Sequence, residues 1–164
     1  MFKIKKEIQI YRAKKVSDNN WIVGQYLYNY SNNKHYIIPN KKDSFKINNW
    51  GEGLIFPYEI DINTLGKYIC QDIDGNPIFE DDIVSQTYEY IDEDKEFVGE
   101  YIGAVKITSR GNTIRNPLNI NYDTSEVVKC TYYKPLVKKR AKVIGNLHDN
   151  PMWEIEEEKK LMNF

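Results

Sequence analysis

Cysteine and histidine are scarce in this 164-residue chain, with two of each. Cys70 and Cys130 form no C-x-x-C pair and cannot build a disulfide framework, so free, buried thiols are expected. His35 and His148 are equally isolated, and no ligand spacing of the zinc type exists. No metal and no cofactor is therefore expected. Alanine, the best helix former, occurs only at Ala13, Ala104 and Ala141, which argues against a helical protein. Long apolar runs are missing, so no segment is suited to cross a bilayer as a helix. The opening MFKIKKEIQIYR alternates charge with isoleucine and lacks the continuous apolar stretch of a signal peptide. A cytoplasmic protein with no membrane partner is the expectation. A nucleophile–base pair, a phosphate loop and a metal cluster are all lacking too, and no enzymatic activity is expected.

Aromatic and β-branched residues are plentiful. Thirteen Tyr, six Phe and three Trp contribute to a hydrophobic share of 41%, enough to build a core despite 29% charged residues. The periodicity is that of strands. Ile4, Ile8 and Ile10 share one parity, so residues 3–12 read as a half-buried strand. VSDNN is a turn, and WIVGQYLYNY places Tyr26, Tyr28 and Tyr30 on one face. SNNK is a second turn and HYIIP a third strand, which together make a meander. Asn40 to Asn49 reads as loop, and Leu54 to Ile60, around Pro57, as an edge or irregular segment. Ile78 to Tyr90 reads as strand, DEDKE as a charged loop, and Phe97 to Thr108 as a strand with bulges at Gly99 and Gly103. SRGNTIRNP reads as loop. Glu126 to Tyr133 and Lys138 to Leu147 are the last strands. One short helix is expected at the C-terminus, capped by Asn150, started by Pro151 and continued by MWEIEEEKKLMNF. The fold class is all-β, mainly antiparallel, with barrel-like subdomains. The chain is read as a single domain over 1–164 or as two packed β subdomains divided near 50–65.

Charge is balanced overall, at −1, but blocked along the chain. Residues 1–50 carry a net +7, residues 51–100 a net −12, and residues 101–150 a net +6. Either basic and acidic strands lie side by side, or the protein has separate charged faces. The first explanation needs less. In KKRAK, strand geometry would put Lys138, Arg140 and Lys142 on one face, with Lys134 near them.

The acidic stretch DIDGNPIFEDDIV, Asp72 to Val84, admits three readings. A calcium loop starting at Asp72 fits at Asp74 and Asn76 but fails at Pro77, where glycine is needed, and at Ile83, where a bidentate glutamate is needed. Glu80 and Asp82 on one strand would share a face with side chains roughly 7 Å apart, a separation that suits paired-carboxylate hydrolysis. The structural reading makes Asp72, Asp74 and Gly75 turn formers. It makes Asp82 a side-chain acceptor that clamps the backbone N–H groups of its own turn.

TLGKYICQDIDGNPIFEDDIV, Thr64 to Val84, resembles the central motif of the YopX family of phage and prophage proteins, T-x-G-Q-Y-T-G-x-x-D-x-x-G-x-x-I-Y-E-G-D-I-V. Thr64, Gly66, Tyr68, Asp72, Gly75, Ile78, Glu80, Asp82, Ile83 and Val84 match it, and Phe79 stands for Tyr. VIGNLHDNP, with Gly145, Asn146 and Pro151, resembles the family's V-I-G-N-I-Y-E-N-P ending. IYRAKK…WIVGQY resembles its F-R-A-W-D…W-V-x-G-x beginning. Lys67 replaces Gln, Ile69 and Cys70 replace Thr and Gly, and Asp81 replaces Gly. If that glycine supplies positive φ, Asp81 must adopt the same turn. The resemblance implies a mostly β fold encoded by phages or prophages of Gram-positive bacteria. It brings no catalytic residues. The implied compartment is the cytoplasm of the bacterial host.

Two functions follow. The first is a non-catalytic interaction protein that binds a host or phage protein through tyrosine-rich surface. The second is a nucleic-acid-binding barrel using Lys134, Lys138, Arg140 and Lys142 with nearby Tyr132 and Tyr133. The sequence pI of about 6.2 weighs against the second. Pairing of exposed sheet edges also allows a homo-oligomer.

Overall fold

The computed structural model of the chain describes residues 9–39, 45–47 and 53–153. Their regular structure is antiparallel β-sheet, as the composition predicts. Of the C-terminal helix expected from Pro151 onward, residues 154–164 lie outside the described residues; Pro151 and Met152 lie in a turn and Trp153 is helical. The chain divides into two compact units, Met1–Tyr68 and Ile69–Phe164.

The first unit holds β1 (Tyr11–Lys15), β2 (Trp21–Asn29), β3 (Lys34–Pro39), β4 (Phe45–Ile47), β5 (Gly53–Ile55) and most of β6 (Tyr58–Gln71). β1, β2 and β3 form the expected meander. Its turns use short polar side chains as backbone acceptors: Asp18 takes the Asn20 N–H at 3.0 Å and Asn32 the Lys34 N–H at 3.1 Å, while Asn19 and Asn33 adopt φ of 59° and 55°. β6 pairs with β3 at Tyr36–Glu59 and with β1 at Tyr11–Lys67, so β1, β2, β3 and β6 close into a small barrel. Ala13, Ile37 and Ile60 fill it, with Tyr11, Ile22, Tyr26 and Leu65 packed around them.

Among the described residues of the expected strand, β1 covers Tyr11 onward. It runs through Arg12 and Lys14, whose charged groups lie over the Trp21 ring at 4.5 and 5.3 Å. Aromatic cover lets basic residues serve as strand residues there. Residues 3–8 of the expected strand lie outside the described residues. The β1–β6 register shifts between Arg12 and Lys14, and the Thr64 hydroxyl fills the gap by accepting the Lys14 N–H at 2.8 Å. The polar run Asp61-Ile62-Asn63-Thr64 hid this long strand from periodicity.

The second unit holds β7 (Pro77–Phe79), β8 (Asp82–Asp92), β9 (Lys95–Thr108), β10 (Gly111–Asn121), β11 (Val127–Lys129), β12 (Lys134–Pro135) and β13 (Ala141–Asn146). β7 pairs with β6; the main sheet has the order β11-β10-β9-β8-β13, and β12 also pairs with β10. Ile78, Val84, Val105, Ile114 and Ala141 are its fully buried centre. Each of the isoleucines and valines contributes about 1.5–3 kcal/mol by leaving water.

Several expected boundaries move. Ile78 to Tyr90 is two strands, because the chain turns at Glu80 and Asp81. DEDKE is a tight hairpin whose central residues Glu93 and Asp94 have φ of 47° and 63°. SRGNTIRNP is mostly β10: alternating Thr113 and Ile114 with Lys106 and Val105 opposite them outweighs its turn-like composition. The bulge lies on β10, between Arg115 and Leu118, with Gly103 facing it across the ladder. Gly99 is required by close approach, since a Cβ there would collide with the Ile120 carbonyl and the Tyr88 ring. Glu126 to Tyr133 contains only the short β11, and β13 begins at Ala141 after a turn at Lys138 to Arg140.

Candidate functional site

The carboxylates of the acidic stretch are occupied by their own surroundings. Asp72 Oδ1 accepts the N–H groups of Asp74 at 2.9 Å and Asn76 at 2.8 Å. Its Oδ2 accepts the N–H of Val143, on β13, at 3.1 Å, and the Asn76 amide at 3.3 Å. Gly75 closes the loop with φ of 84°. Burial opposes the Asp72 charge, but the donors of Val143, Asn76 and Asp74 prevail and hold its carboxyl below the ordinary aspartate value.

Asp82 is fully buried at the start of β8. Its Oδ2 accepts the Phe79 N–H at 2.7 Å, and its Oδ1 accepts the Asn146 amide at 2.9 Å. It clamps a backbone donor of its own turn, as expected. Asn146 carries the connection onward, accepting the His148 N–H at 2.8 Å and, through its carbonyl, the Asn150 N–H at 2.9 Å. Gly145 sits at a register shift of β13, facing Ile83.

Asp81 adopts a left-handed backbone, with φ of 69°. Its carboxylate contacts the Lys106 ammonium and lies 3.2 Å from His148 Nε2. Sequence reading missed Lys106 and His148 as partners of Asp81, because they lie on β9 and in the turn after β13, far from it in sequence. Glu80 occupies the turn and not the strand that Asp82 begins, so the two do not share a strand face as expected. Gly66 lies in β6 opposite Arg12, and Pro151 is exposed beyond the Asn146 turn. Among the described residues no group of three or more His, Cys, Asp or Glu is placed to hold a metal ion. Cys70 and Cys130 are free thiols.

The second feature is aromatic. Tyr88, Tyr90, Phe97 and Tyr101 share one face of the β8–β9 hairpin, with Tyr88–Tyr101 centroids at 4.7 Å and Tyr90 stacked on Phe97 at 5.0 Å. The same face is hydrophobic core at Val84 and Val105 and emerges into solvent toward the hairpin tip, where Tyr90 is 51% exposed. Lys134 lies over the rings of Tyr101 and Tyr132, at 4.5 and 5.0 Å. Burial opposes its charge, yet its contacts with the two tyrosines raise its pKa overall. Tyr132 and Tyr133 are exposed beside it.

The four lysines and arginines expected as nucleic-acid contacts do not form one strand face. Lys138 and Arg140 are in the turn before β13, where alternation does not apply, and both are exposed. Lys142 is on β13 and pairs with Asp74 at 2.9 Å, and Lys134 is held between rings. Among the described residues no helix is long and apolar enough to cross a membrane. In comparisons with known proteins, no family model, no curated protein and no solved structure matches the chain.

Proposed function

We propose that this chain is a non-catalytic binding module, phage- or prophage-encoded as its likeness to the YopX family implies, that recognises a protein through the aromatic face of its second unit. One observation carries the reading: a face that is core at Val84 continues through half-buried Tyr88 and Tyr101 to exposed Tyr90, with exposed Tyr132 joined to Tyr101 through Lys134. Exposed aromatic clusters supply interface area at low entropy loss. The donors that fill both oxygens of Asp72 and of Asp82 support a structural role for those acids.

The nucleic-acid reading draws on the exposed turn Lys138-Lys139-Arg140 and the tyrosines near Lys134. Against it, residues 89–96 place five acids and one lysine at the end of the aromatic face. The test is capture from a Gram-positive bacterial lysate with the whole chain and with Tyr90→Ala/Tyr132→Ala, followed by mass spectrometry. A protein retained by the former and lost by the latter supports the proposal. Salt-dependent binding of single-stranded DNA that disappears in Lys138→Glu/Arg140→Glu would replace it with the second reading.

A further inference from the structure

β8 is longer than the strand that borders it. Its pairing with β13 ends at Gln86–Ala141, followed by one last hydrogen bond from the Thr87 N–H to the Arg140 carbonyl. β8 nevertheless runs on to Asp92, paired only with β9 among the described residues. On the far side of the hairpin, among the described residues, β10 reaches only Gly99, and the Tyr122 N–H the Val98 carbonyl. Residues 88–97 therefore extend past their neighbours as a two-stranded arm.

Alternation fixes which backbone groups are open. The Thr87 N–H points toward β13, so those of Glu89 and Ile91, two and four residues on, point the same way. Those of Tyr88 and Tyr90 point toward β9. Two other strands of this sheet are bordered on their outer sides. The outer side of β13 is engaged by the loop before β7, through Val143 N–H to Asp72 and Ile73 N–H to the Ala141 carbonyl. The outer side of β10 is covered by β11 and β12.

We infer that the open edge of β8, from Glu89 to Ile91, accepts an extended segment of a partner protein as an added strand, and that this segment is basic on one face and apolar on the other. The inference rests on the protein-binding reading above and gives it a mode. Main-chain hydrogen bonds to an exposed edge supply affinity, and alternate side chains supply selectivity. The chemistry follows from the two faces. Tyr88 and Tyr90 lie on one side of the added strand and call for aliphatic or aromatic neighbours. Glu89 and Ile91 lie on the other, with Glu96 opposite Ile91, and the two glutamates there call for lysine or arginine.

The probe is a fluorescein-labelled ten-residue peptide alternating lysine with valine and tyrosine, titrated by anisotropy against the whole chain. Saturable binding is expected, lost for a peptide of the same composition with its lysines clustered. Ile91→Pro removes an outward N–H without touching the β9 ladder, so the fold should survive, as circular dichroism would show. It should weaken binding about tenfold or more, whereas Ile91→Ala, which keeps the N–H, should change it little. Glu89→Pro is the second variant, should Ile91→Pro unfold the arm. Binding unaltered by the proline variants but lost in Tyr90→Ala overturns strand addition and leaves the aromatic docking reading intact. Binding indifferent to all of them overturns both. Failure of the alternating peptide to bind, its displacement by single-stranded DNA, or a dimer by light scattering that excludes the peptide also overturns the inference.

Discussion

Asp82 gives up water on both carboxylate oxygens and regains the Phe79 N–H and the Asn146 amide. Asp82→Ala would leave both donors buried and unsatisfied, at about 1–3 kcal/mol each. We expect the urea midpoint of the second unit to fall by about 2–4 kcal/mol equivalent, whereas a null effect would mean the clamp is dispensable. Asp72 sets a pH dependence. Its folded pKa lies below the unfolded value, so its stabilisation is complete above the ordinary aspartate pKa. That contribution is lost as pH falls through the folded value, and acid titration of Asp72→Asn should show a shallower loss than the parent. Burial, the leading influence, and the charge of Asp72 both raise the Cys70 thiol, against a lowering by Lys138. Cys70 should therefore react slowly with a thiol reagent at neutral pH, and a rapid reaction would contradict its placement. At this scale the sequence was readable wherever a residue acts on its own turn, as at Asp72, Gly75 and Asp82. It was opaque where the partner is remote, as for Lys106 and His148 with Asp81.

A strand's hydrophobic parity reports only what its two faces touch. β2 and β3 were legible because Tyr26 and Ile37 are cross-strand neighbours on the face turned to the core and polar turns flank them. β6 and β10 were not, because the Thr64 hydroxyl replaces a ladder partner in one and a bulge at Asn116 and Pro117 breaks alternation in the other. The acidic loop between β8 and β9 was taken for a longer excursion because Glu93 and Asp94 are unusual residues for two successive positive φ values. Glu93→Asn with Asp94→Gly supplies the residues that such a turn favours. It should stabilise the second unit by about 1 kcal/mol in a urea melt, and destabilisation would mean the acids make compensating contacts. The basic face failed for a similar reason. Its first residues sit in a turn, where a period of two has no meaning.

In the whole molecule, long-range pairing dominates. The barrel of the first unit closes only when β6 returns to β1, some fifty residues away, as in the Lys14–Thr64 bond. Such topology folds slowly, on the order of milliseconds to seconds. Stopped-flow tryptophan fluorescence should find no substantial microsecond phase leading to the native signal. Fold class and the mainly antiparallel pairing were readable from the scarcity of alanine and the wealth of Tyr, Ile and Val. Strand order was not, since no local pattern names the partner of an edge. The tether between Asp82 and Asn146 crosses 64 residues, and that between Asp72 and Val143 crosses 71. During synthesis, then, the nascent chain must carry two acidic side chains destined for the interior while the segment that will complete their hydrogen bonds is still untranslated. Until it emerges from the ribosome, the flank of β8 that β13 will cover stays open along its whole length, and a message truncated before Ala141 would yield a polypeptide prone to clump rather than a smaller working protein.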